Sequence, residues 1–178
     1  IVSFLYIPST FTVSGNAAAT VNNIVSSELL FRTGIYSSLI SMIIFIFLVL
    51  TLYRLFKEID PMPAILMVVL VVVGVSAEYL NTFNKIAALV VLSGDEFLSV
   101  FAKPQLDALA YVFLRLYSQA GPAIQIFWGL WLFPFGLLVI KSRFIPKIFG
   151  ILLMLAGFAY LLSSFTSLVL PQYKAVIS

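Results

Sequence analysis

A stretch without a single charged residue extends from Ile35 to Leu52. As a helix it is long enough to cross a hydrocarbon core, which needs roughly 20 mostly apolar residues. Because 62% of the 178 residues are hydrophobic and only 10% are charged, a soluble fold would leave too much apolar surface in water. The sequence therefore predicts an all-α, polytopic transmembrane bundle. It excludes a soluble enzyme and a nucleic-acid-binding domain.

Three further segments have the length and composition of membrane spans. The first span is predicted over Gly34–Tyr53. The others are predicted over Pro63–Leu92, Lys103–Ile140 and Ile148–Leu170. Gly121-Pro122 and Pro134 are expected to interrupt the third span, because a proline removes a backbone donor and clashes with the preceding turn.

The segments outside these spans predict short helices at the membrane surface. Asn16 is the expected N-cap of a helix over Ala17–Phe31, which is too polar to span and is typical of an interfacial helix. A second short interfacial helix is predicted over Glu96–Ala102. The apolar run Ile1–Ile7 is too short to cross, and we interpret it as the end of a preceding helix.

The distribution of basic residues predicts the orientation of the chain. The net charge is only +3, from 10 basic and 7 acidic residues, so we interpret it as an orientation signal. The turns after the first span and before the last one lie on the same side and hold five basic residues, namely Arg54, Lys57, Lys141, Arg143 and Lys147. The other side holds Arg32, Lys103 and Lys174. The positive-inside rule therefore places the two basic turns in the cytoplasm.

Polar side chains within the second and third spans form the candidate site, Glu78, Asn81, Lys85, Arg115, Gln119 and Gln125. The first three are spaced i, i+3 and i+7, so they share one helical face. If the helix enters the bilayer at Pro63, Glu78 lies roughly 22 Å along it, inside the apolar slab. An isolated carboxylate there is costly unless it is protonated or paired. We therefore expect Glu78 to face Arg115 and Gln119.

This polar cluster has two interpretations. It is either an outward-opening pocket for a small polar ligand, an ion or a proton relay, or a set of interhelical hydrogen bonds and ion pairs that holds helices together in lipid. The second is favoured, because a nearly neutral set of Glu, Lys and Arg can satisfy itself. An intramembrane enzyme would need a carboxylate pair or a Ser–Lys dyad close in space. Glu78 with Asp107 is the one conceivable carboxylate pair, and Asp107 is expected at the surface.

Other motifs favour structural roles. The small residues Gly150, Ala156 and Gly157 indicate either a close approach between helices or dimerisation, and the close approach is favoured because no strict GxxxG motif is present. Lys141, Arg143 and Lys147 are either an anionic-headgroup or partner site or a topology signal, and their small number favours topology. Since the chain has no Cys and no His, thiolate and imidazole chemistry is excluded. We predict no catalytic residue, no metal site and no cofactor.

Three stretches of the chain resemble one family. They are GNAAAT at 15–20 with NI at 23–24 and LFRTG at 30–34, FWGLWLFPFGLL at 127–138, and SRFIPKIFGILL at 142–153 followed by AGFAYL at 156–161. In this order and spacing they resemble the bacterial integral membrane proteins called domain of unknown function 4386. The resemblance implies further helices on both sides, so that residues 1–178 would be a single transmembrane domain truncated at both ends. Many members have His where this chain has Trp131, so no role of that His is transferred.

The expected function is a non-enzymatic accessory or scaffolding subunit of a complex in the bacterial cytoplasmic (inner) membrane. Its expected partners are the lipid bilayer and other membrane proteins or a second copy of itself, without nucleic acid. The alternative is a bundle that binds or transports a small molecule or an ion through an outward-facing polar cluster around Glu78.

Overall fold

The structure is a computed structural model that describes residues 11, 13 and 15–170. Most of the described residues are helical, and no strand occurs among them. In chain order the helices are α1 (Ala17–Ser26), α2 (Glu28–Phe56), α3 (Pro61–Val91), α4 (Lys103–Leu130), α5 (Leu132–Ser142) and α6 (Lys147–Val169), with a 3₁₀ turn at Glu96–Leu98. The all-α prediction is confirmed. The prediction for Ile1–Ile7 lies outside the described residues.

Four segments are long and apolar enough to cross a membrane. They are α2 with 29 residues, α3 with 31, α4 and α5 together with 40, and α6 with 23. At 1.5 Å per residue even α6 extends roughly 35 Å, which exceeds a hydrocarbon core of about 30 Å. The prediction of four full spans is confirmed, and the chain is a multi-pass membrane protein.

The start of the first span differs from its prediction. α1 ends at Ser26, and α2 begins at Glu28 instead of Gly34, so a helix over Ala17–Phe31 is wrong. The reason is local, because Glu28 and Arg32 form an i,i+4 ion pair with 2.6 Å between Oε1 and Nε along the first turn of α2. The segment 28–33, which contains Glu28, Arg32 and Thr33, is thus the first part of α2.

The predicted cap at the start of α1 is confirmed. Asn16 has an extended backbone, and its Oδ1 accepts a hydrogen bond of 2.9 Å from the Ala19 N–H. This bond satisfies one of the amide groups that a helix leaves without a partner in its first turn. The Gly15 N–H in turn donates to the Tyr111 hydroxyl at 3.0 Å, which ties the start of α1 to α4.

The third span is interrupted at one place, and that place is Trp131. α4 runs through Gly121-Pro122 without a break, so the interruption predicted there is wrong. At the second predicted interruption, Pro134 has no N–H to donate to the Leu130 carbonyl four residues earlier, and the helix breaks in this turn.

The second interfacial helix is shorter than predicted. Only Glu96–Leu98 is helical, as a single 3₁₀ turn, whereas a helix over Glu96–Ala102 was expected. The side chain of Gln105 explains the early end, because its Oε1 accepts a hydrogen bond of 2.8 Å from the Ala102 N–H. This bond caps the start of α4 and fixes Ala102 outside any preceding helix.

The chain forms two compact units. Among the described residues, the first unit contains those up to Met42 and Tyr79–Gln119, and the second contains Ile43–Glu78 and those from Ala120 onward. α2, α3 and α4 each pass from one unit into the other, and the single domain stays a prediction. The core of the first unit is an apolar cluster of Phe11, Val21, Ile24, Phe31, Ile35, Ala88, Leu89, Val91, Ala110 and Leu114.

A close antiparallel seam holds the second unit together. A Cβ added to Gly136 would lie 2.6 Å from the Gly150 carbonyl oxygen, and one added to Gly129 would lie 3.0 Å from the Gly157 carbonyl oxygen. Seven residues further along the same line, the Ser164 hydroxyl donates to the Pro122 carbonyl at 2.6 Å. Only glycine lets two helix backbones approach so closely. The close approach predicted for Gly150 and Gly157 is confirmed.

Candidate functional site

The α3 residues of the polar cluster lie in the second half of a long helix. Counted from Pro61, Glu78 lies roughly 26 Å and Lys85 roughly 36 Å along α3. Asn81 is buried, and Glu78 and Lys85 are half-buried. A hydrocarbon core of about 30 Å that begins near Pro61 would contain Glu78 and end close to Lys85.

Asn81 and Lys85 meet at one residue of α4, which is Tyr117. The Asn81 Nδ2 donates a hydrogen bond of 3.0 Å to the Tyr117 carbonyl oxygen. The Lys85 Nζ lies 3.9 Å from the centre of the Tyr117 ring. A cation over an aromatic face is attracted by the electrons of the ring, more strongly where water is scarce. One tyrosine thus receives both an amide and an ammonium group from α3.

Tyr117 was not among the residues predicted from the sequence. The predicted α4 residues Arg115 and Gln119 share a face at i and i+4, whereas Tyr117 lies about 200° around the helix from Arg115. The structure leaves Arg115 and Gln119 exposed. The sequence did contain one signal for Tyr117, because it is an aromatic residue at about the same level along its helix as Lys85 along α3. The prediction that Glu78 faces Arg115 and Gln119 stays a prediction.

The remaining α4 residues lie at different depths. Counted from Ser142 at the end of α5, Gln125 lies roughly 26 Å along the third span and Arg115 roughly 40 Å. Gln125 is half-buried. A distance of about 40 Å exceeds the thickness of a hydrocarbon core, so we expect the exposed Arg115 guanidinium to contact headgroups or water.

Two neighbouring side chains strengthen the helix contacts. The Asn84 Nδ2 donates to the backbone and side-chain oxygens of Asn81, both at 3.2 Å, which orients the Asn81 amide. The Tyr79 hydroxyl donates to the Leu39 carbonyl of α2 at 2.9 Å. In the described part of the chain, every buried side-chain nitrogen and oxygen has a hydrogen-bond partner. The polar groups of this region therefore connect helices.

Asp107 is buried, so the expectation of a surface position is wrong. Both of its carboxylate oxygens lie 3.1 Å from the Lys103 Nζ, one turn earlier in α4. The pair compensates the charge, and a carboxylate in the first turns of a helix is also favoured by the helix dipole. In residues 11, 13 and 15–170, no group of three or more His, Cys, Asp and Glu side chains is arranged to hold a metal ion.

An ion pair joins the two basic turns that the sequence places on one side of the membrane. The Lys141 Nζ lies 2.6 Å from the Asp60 Oδ2. Asp60 immediately precedes α3, and Lys141 is in the last turn of α5. The two turns are therefore on the same side of the bundle, as predicted.

Taken together, the fold and this cluster define a multi-pass helical membrane protein whose buried polar groups link neighbouring helices. The family model described as Domain of unknown function (DUF4386) matches residues 1–178. The chain belongs to this family. No curated protein and no solved structure matches it.

Proposed function

We propose that this protein is a non-enzymatic accessory or scaffolding subunit of a complex in the bacterial cytoplasmic membrane. The observation that carries the proposal is the use of the polar cluster. Asn81 donates to the Tyr117 backbone, and Lys85 lies over the Tyr117 ring. Polar groups engaged in this way connect helices and are not presented to a ligand.

The surfaces that remain for a partner are apolar. α6 packs along α5 with one face and leaves the opposite face exposed along its full length, at Ile148, Ile151, Leu152, Leu155, Phe158, Leu162, Phe165 and Val169. These positions recur every three or four residues, which is the pattern of a helix that contacts lipid or another helix along one side. We call them the outer face of α6. A scaffold for membrane proteins needs such a rigid, continuous face.

The absence of His and Cys from the sequence supports a role without catalysis. Most general acid–base chemistry near neutral pH uses imidazole, and thiolate nucleophiles need cysteine. The ion pairs of Lys103 with Asp107 and of Lys141 with Asp60 also engage acidic and basic groups that a reaction would need.

The test is photo-crosslinking in native membranes. A photoreactive amino acid replaces Leu155, in the middle of the outer face of α6, and in a matched chain it replaces Ser164, which is buried against Pro122. The proposal expects a discrete adduct with one membrane protein, or with a second copy, from position 155 and none from position 164. Lipid adducts alone from position 155 would contradict it.

A flux measurement separates the proposal from the alternative. The purified chain is reconstituted in liposomes and compared with Glu78→Gln, which keeps the size of the side chain and removes its charge. The proposal expects neither chain to move protons, cations or small solutes above the background of empty liposomes. A flux that the wild-type chain supports and the variant loses would establish the transport bundle instead.

A further inference from the structure

The turn between α5 and α6 forms an open cleft of about 770 Å³. We call it the basic cleft, and it is lined by Ile140, Lys141, Arg143, Phe144, Ile145, Pro146 and Lys147. The charge of Lys141 is compensated by Asp60. Arg143 and Lys147 are exposed, and neither forms an ion pair with any residue in the described part of the chain. The cleft therefore presents two uncompensated positive charges.

The backbone at Arg143 is a second, independent observation. Arg143 ends α5 with φ of 59°, and it is the one non-glycine residue in the described part of the chain with a positive φ. Glycine is strongly preferred at this position after a helix, because a Cβ is strained in the left-handed region. A backbone outlier of this kind motivates the hypothesis that the residue has a functional role. Here the side chain is a guanidinium, which binds phosphate oxygens in pairs.

An apolar groove of about 440 Å³ lies next to this turn on the membrane side. It is lined by Met62, Pro63, Leu66, Phe133, Pro134, Leu137 and Met154. Counted along their helices from the basic turns, Leu66 and Leu137 lie roughly 8 Å into the membrane and Met154 roughly 11 Å. This is the depth of the first methylene groups of a phospholipid acyl chain.

The basic cleft and the apolar groove share one face of α5. Leu137 lines the groove and Lys141 lines the cleft, and the spacing i,i+4 places both on the same side of the helix. Asp60, the partner of Lys141, is two residues before Met62 of the groove. A positively charged cleft thus adjoins an apolar groove, with the groove on the membrane side.

We propose that this surface binds one anionic phospholipid. Its phosphate lies in the basic cleft between the Arg143 guanidinium and the Lys147 ammonium group, and one acyl chain occupies the apolar groove. The N-terminal end of α6 begins at Lys147 and adds the positive end of its dipole. Two uncompensated cations favour a headgroup with a net negative charge over a zwitterionic one. This proposal does not depend on the proposed scaffolding role.

The experiment is native mass spectrometry of the full chain in detergent, titrated with phosphatidylglycerol or phosphatidylcholine of identical acyl chains. The wild-type chain is expected to bind phosphatidylglycerol more tightly. Removing both cations in R143Q/K147Q is expected to weaken that binding about 30-fold, from roughly 1 kcal/mol for each cation near an anionic lipid, and to weaken phosphatidylcholine, whose phosphate is offset by its choline charge, by a smaller factor. The matched control is Arg54→Gln, a basic residue of the same side that does not line the cleft, and we expect its effect to be within about threefold.

Two further variants separate a lipid site from an unfolded chain or a free-anion site. Arg143→Gly is expected to keep the helical circular dichroism of the wild type, because glycine relieves the positive φ, and to lose affinity for phosphatidylglycerol. Leu66→Trp fills the apolar groove and is expected to weaken both lipids, whereas Leu152→Trp, an exposed residue of α6 outside the groove, is expected to weaken neither.

Three results would overturn the proposal. The first is equal affinity of the wild-type chain for the two lipids. The second is an R143Q/K147Q chain that binds phosphatidylglycerol as well as Arg54→Gln does. The third is displacement of phosphatidylglycerol by inorganic phosphate together with no effect of Leu66→Trp, which would identify a free-anion site.

Discussion

Replacing Gly150 by alanine tests the close contact between α5 and α6. The added Cβ would lie 2.6 Å from the Gly136 carbonyl oxygen, 2.6 Å from Ile140 Cγ1 and 3.1 Å from the Ile140 nitrogen. Two of these three atoms belong to the backbone, so a change of rotamer does not relieve the contact. α5 and α6 must therefore move apart.

The magnitude follows from this geometry. Overpacking a tight contact costs about 1–3 kcal/mol, and a gap of about 0.5–1 Å loses a quarter to a half of the attraction between the atoms that face it. Because a separation of 2.6 Å is shorter than Cβ contacts in proteins, we expect a loss at the upper end, about 2–3 kcal/mol. For Gly129→Ala, whose closest atom lies at 3.0 Å, we expect about 1–2 kcal/mol.

The assay is equilibrium unfolding in mixed micelles of dodecyl maltoside and sodium dodecyl sulfate, followed by far-ultraviolet circular dichroism. Gly121→Ala is the matched control in α4, since a Cβ there meets no atom within 4 Å. Alanine favours a helix over glycine, whereas Pro122 disfavours helical backbone at the residue before it, so we expect the control to change the free energy of unfolding by less than about 1 kcal/mol in either direction. If Gly150→Ala and the control unfold at the same detergent fraction, the close seam between α5 and α6 is wrong.

Three further substitutions test individual polar contacts in the same unfolding assay. Asn81→Ala removes the hydrogen bond to the Tyr117 carbonyl and is expected to lower the free energy of unfolding by about 0.6–1.5 kcal/mol. The control Ser76→Ala loses only a hydrogen bond within its own helix, so its free energy of unfolding is expected to change little. Ser164→Ala is expected to cost about 1 kcal/mol, and an unchanged stability would show that its bond to the α4 carbonyl contributes nothing. For Lys141 and Asp60, a double-mutant cycle is expected to give a coupling energy below about 1 kcal/mol that decreases with salt, because the two side chains are 45% and 25% exposed. A coupling energy above about 2 kcal/mol would refute the description of this ion pair as a surface pair.

The spans were predictable because their signal is local. A charge-free run such as Ile35–Leu52 needs only its own composition to be identified, and the cap at Asn16 depends on residues within one turn. The start of α2 was missed because an ion pair of Glu28 with Arg32 extends the helix through polar residues. Proline positions were equally visible, yet α4 continues through Pro122 and breaks before Pro134.

The partners across helices were not predictable, because they depend on how each helix is rotated about its axis. Tyr117 and Arg115 are two residues apart and point in nearly opposite directions, and the sequence does not say which one faces Asn81. The glycine seam is an intermediate case. Gly136 and Gly150 are equally distant from Arg143 in the chain, as are Gly129 and Gly157, so a tight turn at Arg143 was sufficient to pair them.

Single-cysteine labelling in oriented membrane vesicles tests the central claim that the chain crosses the membrane four times with the two basic turns on one side. The chain has no cysteine of its own, so a single cysteine that replaces Glu58, Phe144 or Asp95 reports the membrane side of that position alone. All three positions are exposed in the structure. With a maleimide that does not cross membranes, we expect positions 58 and 144 to react from one face and position 95 from the other. Reaction of all three from the same face would contradict the four-span arrangement.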